Sequence, residues 1–180
     1  MVHEIISPDI HVDIAVIEPT NKRNYYTLVT MGMGAHRMNV PQELVGRFER
    51  AEMVICLPPD WQVQEENEQW YWPMRWLKIM ARLPIENNTW LGFGHTVPSG
   101  VPFADNTKLS GMVLFTPSVE FGDDSDTCAM PDRSIVNFYQ MIPLHEEEMD
   151  YKVGNSLDAL LERMPDSASV VVDINRPSVV

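Results

Sequence analysis

The alternation of apolar and polar residues over residues 9–17 is the feature that most constrains the fold. Every second position carries a β-branched residue, namely Ile10, Val12, Ile14 and Val16. A period of two is typical of a strand that buries one face. Residues 25–31 are rich in aromatic and β-branched residues, and only a short polar turn separates them from the first segment. We therefore predict an antiparallel hairpin, which makes a sheet the centre of the fold.

Three further segments extend the predicted sheet. Residues 51–57 form a mostly apolar run that ends at a pair of prolines, which cannot donate to a strand ladder. Strands are also predicted at residues 112–115 and 135–142, because both are apolar and bounded by turn-forming residues or proline. Pro143 is expected to end the last strand.

Three helices are predicted around this sheet. Pro73 stands where a first helical residue would, and apolar residues repeat at helical spacing from there until Pro84. A second helix begins after His145, where the carboxylates of residues 146–148 suit the positive end of the helix dipole and are expected to be exposed. A third helix, over residues 157–164, is capped by one of the two polar residues before it.

These elements predict one α+β domain with a largely antiparallel mixed sheet flanked by helices. The domain spans residues 1–164, because no linker, repeat or low-complexity stretch divides them. Residues 165–180 form a C-terminal tail, in which residues 170–174 are either a late strand or a loose end.

The formal net charge of −13 limits the classes of partner. Nucleic-acid binding needs clustered Lys and Arg to displace counterions from phosphates, so we expect none. A basic protein is the expected partner, although acidity can also serve only solubility. Cys56 and Cys128 lie in apolar stretches, which predicts two buried thiols in a reducing compartment. Without a signal peptide or a membrane-spanning run in the sequence, we expect a cytoplasmic protein with no membrane partner.

Gly32 and Gly34 belong to a glycine loop that follows the second strand. The loop lacks the third glycine of the dinucleotide fingerprint and the Lys-Ser or Lys-Thr pair of a P-loop. Phosphate binding is therefore the weaker interpretation. A local need for positive φ or for tight packing is the stronger one.

Histidines provide the main argument for an enzyme. His36 lies within the glycine loop, His95 follows a glycine, and His11 shares one face of the first strand with Asp13. If the fold brings these side chains together, they would form the site of a metal- or small-molecule-dependent enzyme, which is an alternative hypothesis. The sequence has no close metal-binding spacing and no nucleophile elbow. We therefore predict no catalytic residue, no metal and no cofactor.

A cluster of tryptophans and carboxylates precedes the main helix. Tryptophan buries a large area while keeping one polar group, and carboxylates around it favour a cationic partner. Trp72 and Trp76 are four residues apart on the helix and are expected in the core. The residues predicted to bind a protein are Asp60, Trp61, Glu65, Glu66, Glu68 and Trp70.

Several short motifs follow one another in a set order along residues 3–161. They include Cys56-Leu57-Pro58-Pro59-Asp60-Trp61, Trp90-Leu91-Gly92-Phe93-Gly94-His95 and Phe138-Tyr139-Gln140-Met141-Ile142-Pro143. In this order they resemble a bacterial Suppressor of fused domain. The resemblance implies a mixed α+β domain without an established catalytic apparatus. The family's bacterial members usually begin with a helix before the segment at His3, and that helix is expected to be missing here.

The resemblance also implies a function in protein binding. Animal members bind and restrain transcription factors of the Hedgehog pathway, and stand-alone bacterial members are thought to include immunity proteins that neutralise toxins. The leading hypothesis is therefore a non-catalytic binding or inhibitory module, specifically an immunity protein that acts on a basic toxin. A regulatory scaffold that binds a transcription factor or another cytosolic protein is a further alternative.

Overall fold

A computed structural model describes residues 11–117, 126–165 and 171–180. Within these ranges seven strands form one mixed sheet. The strands are β1 (Asp13–Ile17), β2 (Tyr26–Met31), β3 (Ala51–Leu57), β4 (Thr96–Pro98), β5 (Gly111–Phe115), β6 (Thr127–Ala129) and β7 (Ile135–Leu144). The helices in the same ranges are α1 (Glu68–Glu86), α2 (Glu146–Gly154) and α3 (Leu157–Leu161), with short 3-10 helices at Met33–Ala35 and Gln42–Leu44.

The strands follow the order β1-β2-β3-β7-β5-β4, and β6 pairs with the first residues of β7. β1 and β2 pair antiparallel, as the hairpin prediction requires. β3 and β7 are parallel, and the other pairs are antiparallel. All seven residues of β3 are buried, which suits a central strand covered on both faces. The prediction of an α+β domain with a largely antiparallel mixed sheet is confirmed.

The sheet carries a separate apolar cluster on each side. Alternate residues of one strand point to opposite faces, so Met112 and Leu114 join one cluster while Val113 joins the other. The larger cluster packs the sheet against α1, and the smaller one packs β5 and β7 against α2 and α3 through Met149 and Leu160. These two clusters hold the three helices on the sheet.

The first helix is longer than predicted at both ends. It begins at Glu68, after Asn67, whose side chain accepts a hydrogen bond from the Gln69 N–H, and it continues through Pro73 and Pro84 to Glu86. Both prolines are buried. Each removes one helical donor, and the packing of the apolar face compensates for that loss because most helical stability in proteins comes from tertiary contacts. The predicted boundaries at Pro73 and Pro84 were therefore wrong.

The last strand also continues past its predicted end. Pro143 lies inside β7 opposite Met112. In the described chain, β3 pairs with β7 only as far as Gln140, so no strand ladder on that side needs a donor at position 143. The Pro143 carbonyl accepts a hydrogen bond from Arg176 Nη2. The prediction that Pro143 ends the strand was wrong because, among the described residues, no strand pairs with this part of β7 on the side opposite β5.

Residues 171–180 are neither a strand nor a loose end. The Val172 N–H donates to the Cys56 carbonyl, and the Thr107 hydroxyl donates to the Ile174 carbonyl. Val172 is buried in the larger cluster and Val179 packs against the smaller one. The segment thus joins both sides of the sheet without strand geometry, and residue 170 lies outside the described residues.

The two cysteines differ in exposure. Cys56 is buried in β3, which confirms the prediction for that thiol. Cys128 is exposed in β6, so the prediction that it is buried was wrong. Both are free thiols. Among the described residues, none of the helices combines the length and apolarity that crossing a bilayer requires.

Candidate functional site

Four carboxylates lie on the surface where the chain leaves β3 and enters α1. We call Asp60, Glu65, Glu66 and Glu68 the acidic surface, and all four are exposed. Glu68 accepts hydrogen bonds from both Nε and Nη2 of Arg75, so its charge is compensated. The other three make no ion pair within the described part of the chain. Their negative charge is available to a partner.

Trp61 lies beneath this surface and not on it. Its side chain is only 5% exposed, and its ring meets those of Trp70 and Trp72 edge-on at centroid distances of 5.2 and 6.0 Å. The indole Nε1 donates to the Trp70 carbonyl at 2.9 Å. This burial contradicts the expectation that Trp61 is a surface anchor. Trp70 remains partly exposed, while Trp72 and Trp76 are buried as predicted.

A groove of about 840 Å³ adjoins the acidic surface. It runs between the first turns of α1 and the loop that precedes β5, and we call it the α1 groove. One wall carries Glu68 and Arg75, and the other carries exposed apolar residues, among them Val101 and Pro102. Its lining residues are Asn67, Glu68, Gln69, Arg75, Val101, Pro102, Phe103, Ala104, Asp105 and Thr107.

Internal contacts fix both walls of the α1 groove. Arg75 Nη2 donates to the Phe103 carbonyl as well as to Glu68, so one guanidinium joins the helix to the loop. The Phe103 ring stacks on the buried Trp72 ring at 4.8 Å and 8°. The Phe103 N–H donates to the Leu109 carbonyl. The groove is therefore preorganised, which lowers the entropic cost of binding there.

The glycine loop binds a carboxylate of the protein itself. The N–H groups of Gly32 and Gly34 both donate to Glu52 Oε1 at 2.9 Å, and the Thr30 hydroxyl donates to Oε2. Gly32 has φ of +124°, and a Cβ there would lie 2.2 Å from the His11 carbonyl oxygen. These amides are occupied, so the phosphate-binding interpretation has no support. The stronger interpretation, positive φ and tight packing, is confirmed.

Glu52 is a carboxyl group in an apolar setting. Burial raises its pKa, while the hydrogen bonds from Thr30 and from the loop amides oppose that shift. The loop amides act as a small anion-binding nest for this side chain. The sequence places Glu52 within an apolar strand, and that isolated carboxylate was the available signal for a buried acceptor.

The histidines do not assemble into one site. His11 Nε2 lies 3.1 Å from Asp13 Oδ1, as their shared strand face suggested. His36 follows the first 3-10 helix, and the His95 ring meets the Trp90 ring at 4.3 Å. Among the described residues, no group of three or more His, Cys, Asp or Glu side chains is placed to hold a metal. The described residues therefore provide no site for the metal-dependent form of the enzyme hypothesis.

His95 has a distinct electrostatic environment. Burial lowers its pKa, and the positive charge of Lys152 lowers it further. The neutral imidazole is thus favoured at neutral pH. The ring that it contacts is that of Trp90, whose indole is not an acid–base partner.

A buried carboxylate that sequence reasoning missed lies in α2. Glu148 was expected to be exposed with its neighbours, but its side chain is completely buried. It accepts hydrogen bonds from Arg176 Nη1 and Nη2, from the His145 N–H and from the Val179 N–H. Burial alone would raise the pKa of Glu148, but the Arg176 contacts and the two amides lower it overall. Glu148 is the third residue of α2, where its contact with the His145 N–H forms a capping box, but its complete burial depends on the long-range partner Arg176.

His145 completes the same cluster. Its Nε2 lies 3.0 Å from the Arg176 carbonyl oxygen. A carbonyl can only accept, so this ring nitrogen carries the proton. The cluster joins the start of α2 to residues 176–179 through these hydrogen bonds.

The fold and site define an α+β domain that carries an exposed acidic surface beside a preformed groove. A family model described as Suppressor of fused protein (SUFU) matches residues 8–177. An uncharacterised protein of Ureaplasma parvum serovar 3 is 30% identical over 178 residues, which cover 99% of this chain and 84% of that protein. The chain belongs to the Suppressor of fused family, which is known for protein binding.

Solved structures show the same fold. A chain in the crystal structure of the Sufu–Fu complex aligns with a TM-score of 0.66 at 17% identity, covering 94% of this chain and 77% of that one. A homologue from Neisseria gonorrhoeae FA 1090 aligns at 0.64 and 19%, covering 94% and 79%. Drosophila Suppressor of Fused aligns at 0.64 and 18%, covering 94% of this chain but 42% of its own length.

Proposed function

We propose that this chain is a non-catalytic module that binds a basic protein through the acidic surface. The observation that carries the proposal is the exposure of Asp60, Glu65 and Glu66, none of which has an ion-pair partner among the described residues. Glu65 and Glu66 directly precede Asn67, which lines the α1 groove, and this groove gives a partner a concave surface to enter. A structural neighbour was solved in a complex named Sufu–Fu, which supports partner binding for this fold.

Charge provides the physical basis for this proposal. Uncompensated surface carboxylates attract a positively charged partner and raise the association rate more than the final affinity. The net charge of −13 also attracts a positively charged partner over a longer range. Partly exposed Trp70 offers apolar area beside the carboxylates. The arrangement therefore suits an inhibitory contact with a basic surface.

The finer form of the proposal is an immunity protein of the cytoplasm that neutralises a basic toxin by covering its active surface. A regulatory scaffold for a transcription factor or another cytosolic protein would use the same acidic surface. The two differ in the identity of the partner and in the consequence of binding. Loss of toxin activity in the complex supports immunity, and a partner without toxicity supports scaffolding.

Affinity copurification from the native host tests the proposal. The wild-type chain is compared with the triple variant Asp60→Asn/Glu65→Gln/Glu66→Gln. A matched control, Glu43→Gln/Glu86→Gln/Glu162→Gln, removes the same number of exposed carboxylates from other parts of the surface. We expect one basic protein to copurify with the wild type and the control at native salt, and to be depleted from the triple variant.

Association kinetics with the recovered protein provide the quantitative measurement. Added salt should slow association with the wild type more steeply than with the triple variant, because screening weakens exposed charges. Equal depletion by the triple variant and the control would show that net charge matters and the acidic surface does not. Recovery of no protein partner at native salt would contradict the proposal.

A further inference from the structure

The α1 groove has two chemically different walls, and this difference defines an occupant. On the loop side, the Val101 side chain is 64% exposed and lies beside exposed Pro102. Asp105 is exposed in the same loop and has no ion-pair partner within the described residues. An apolar contact and an uncompensated negative charge therefore lie a few residues apart along one wall.

Arg75 lies in the same groove, but its charge is paired within the protein. Its Nε and Nη2 atoms already donate to Glu68, and Nη2 also donates to the Phe103 carbonyl. The charge of Arg75 is compensated by Glu68, which leaves Asp105 as the uncompensated charge of the groove. Glu65 and Glu66 precede the groove residue Asn67 directly and extend the negative field. Charge complementarity therefore selects a cationic occupant.

We propose that the α1 groove binds a short basic segment of the partner protein in which an aliphatic side chain alternates with Lys or Arg. The aliphatic side chain packs on Val101 and Pro102, and the cation pairs with Asp105. This inference rests on the proposed function and deepens it, because it names the partner's chemistry at one part of the surface. The fixed walls make the groove able to select such a segment without rearrangement.

Three synthetic peptides test the groove without the natural partner. Acetyl-Lys-Leu-Lys-Leu-Lys-amide carries both features, acetyl-Lys-Ser-Lys-Ser-Lys-amide lacks the aliphatic side chains, and acetyl-Glu-Leu-Glu-Leu-Glu-amide reverses the charge. Each is titrated into the uniformly nitrogen-15-labelled full chain, and amide chemical shifts are followed. We expect the first peptide to shift groove amides, including those of Val101, Phe103 and Asp105, in a saturable way. The second peptide should bind more weakly, and the third should leave these amides unchanged.

Matched variants separate the ion pair at Asp105 from the apolar contact at Val101. Asp105→Asn should raise the Kd of the first peptide about threefold, which corresponds to the energy of an exposed ion pair. Glu43→Gln should leave that Kd unchanged. Val101→Ser should also raise it about twofold or more, whereas Val153→Ser, which removes an exposed valine outside the groove, should not. All four positions are exposed, so each variant is expected to fold, and the spectrum of the free protein verifies this.

Several outcomes would overturn the inference. These are shifts outside the groove, equal affinity for the charge-reversed peptide, or equal effects of Asp105→Asn and Glu43→Gln. Groove shifts that depend on protein concentration alone would assign the groove to a second copy of the chain and would also refute it. If the peptide binds as expected but the acidic-surface triple variant keeps its natural partner, the proposed function fails and the groove specificity stands. If the partner is lost but no peptide binds the groove, only this inference fails.

Discussion

The guanidinium of Arg176 and the carboxylate of Glu148 form a two-bond ion pair, with each nitrogen of the fork 2.5 Å from a different oxygen. The Glu148 side chain is fully buried and that of Arg176 is 8% exposed. The pair joins the first turn of α2 to the C-terminal segment. A planar guanidinium matches a carboxylate in this geometry, which a lysine cannot reproduce.

Removing Arg176 should destabilise the protein strongly. Arg176→Ala leaves the Glu148 carboxylate buried without its counter-ion, and breaking a buried pair in this way typically costs about 3–5 kcal/mol. Urea denaturation at pH 7 measures the loss. Arg163→Ala removes an exposed arginine that stacks on Tyr151, and we expect a change within about 1 kcal/mol. Equal stability of the two variants would show that the Glu148 charge is compensated by other groups.

Glu148 should also make the protein sensitive to acid. Its folded pKa is lower than the value in the unfolded chain, so its contribution to stability is complete above that unfolded value and is lost as pH falls through the folded pKa. Glu148→Gln does not titrate, and it cannot accept both donors of the Arg176 fork. We expect the stability difference between wild type and Glu148→Gln to be largest near pH 7 and to shrink below about pH 4.3. A difference that does not change between pH 7 and pH 3 would contradict this.

Glu52 should show the opposite dependence on pH. Its folded pKa is raised by burial, so the folded state holds the proton more tightly and the carboxyl group destabilises the fold as pH rises from about 4.3 through the folded pKa. Glu52→Gln keeps an oxygen for the Gly32 and Gly34 amides but does not ionise. We expect its stability relative to wild type to increase with pH across that window, measured by urea denaturation at a series of pH values. The exposed variant Glu43→Gln serves as the control, and a parallel profile for both variants would refute the prediction.

Gly32→Ala should lower the free energy of unfolding more than Gly46→Ala, which is also a substitution at positive φ. A Cβ at Gly32 would lie 2.2 Å from the His11 carbonyl oxygen, so the backbone must move. Gly46 also has positive φ, at +83°, but a Cβ there meets no atom within 4 Å. Gly46→Ala thus measures the φ strain alone, and Gly32→Ala should lose at least about 1 kcal/mol more in thermal or urea unfolding. Equal losses would mean that the loop relaxes freely.

Local sequence patterns predicted the parts of the fold that depend on neighbouring residues. The alternation of apolar and polar residues predicted the β1–β2 hairpin. The apolar run over residues 51–57 predicted β3 with the bounds Ala51–Leu57. Ser156, one of the two polar residues before α3, accepts a hydrogen bond from the Ala159 N–H, as capping chemistry requires. These features depend on contacts close in sequence or on simple periodicity, so sequence alone suffices for them.

Features set by distant contacts were not predictable in the same way. Proline normally marks a boundary, but burial keeps Pro73 and Pro84 within α1. Glu148 lies in a run of three glutamates, and its position three residues after His145 suits a capping box, but its burial depends on Arg176, 28 residues further on. At the candidate site, the acidic surface followed from sequence, whereas the α1 groove depends on the loop around Phe103 folding back onto Trp72. Tertiary packing decided each of these cases.

The C-terminal segment has a consequence for the order in which the protein matures. Val172, Arg176 and Val179 are translated after every element that they join, because synthesis proceeds from the N-terminus. Until Arg176 leaves the ribosome, Glu148 has no counter-ion and α2 lacks its attachment to the tail. The nascent chain can pair β1, β2 and β3 before these residues are made, but both apolar clusters are completed only when the C-terminal segment packs against them. A ribosome that stalls before Arg176 would therefore hold a half-finished domain that proteases can recognise.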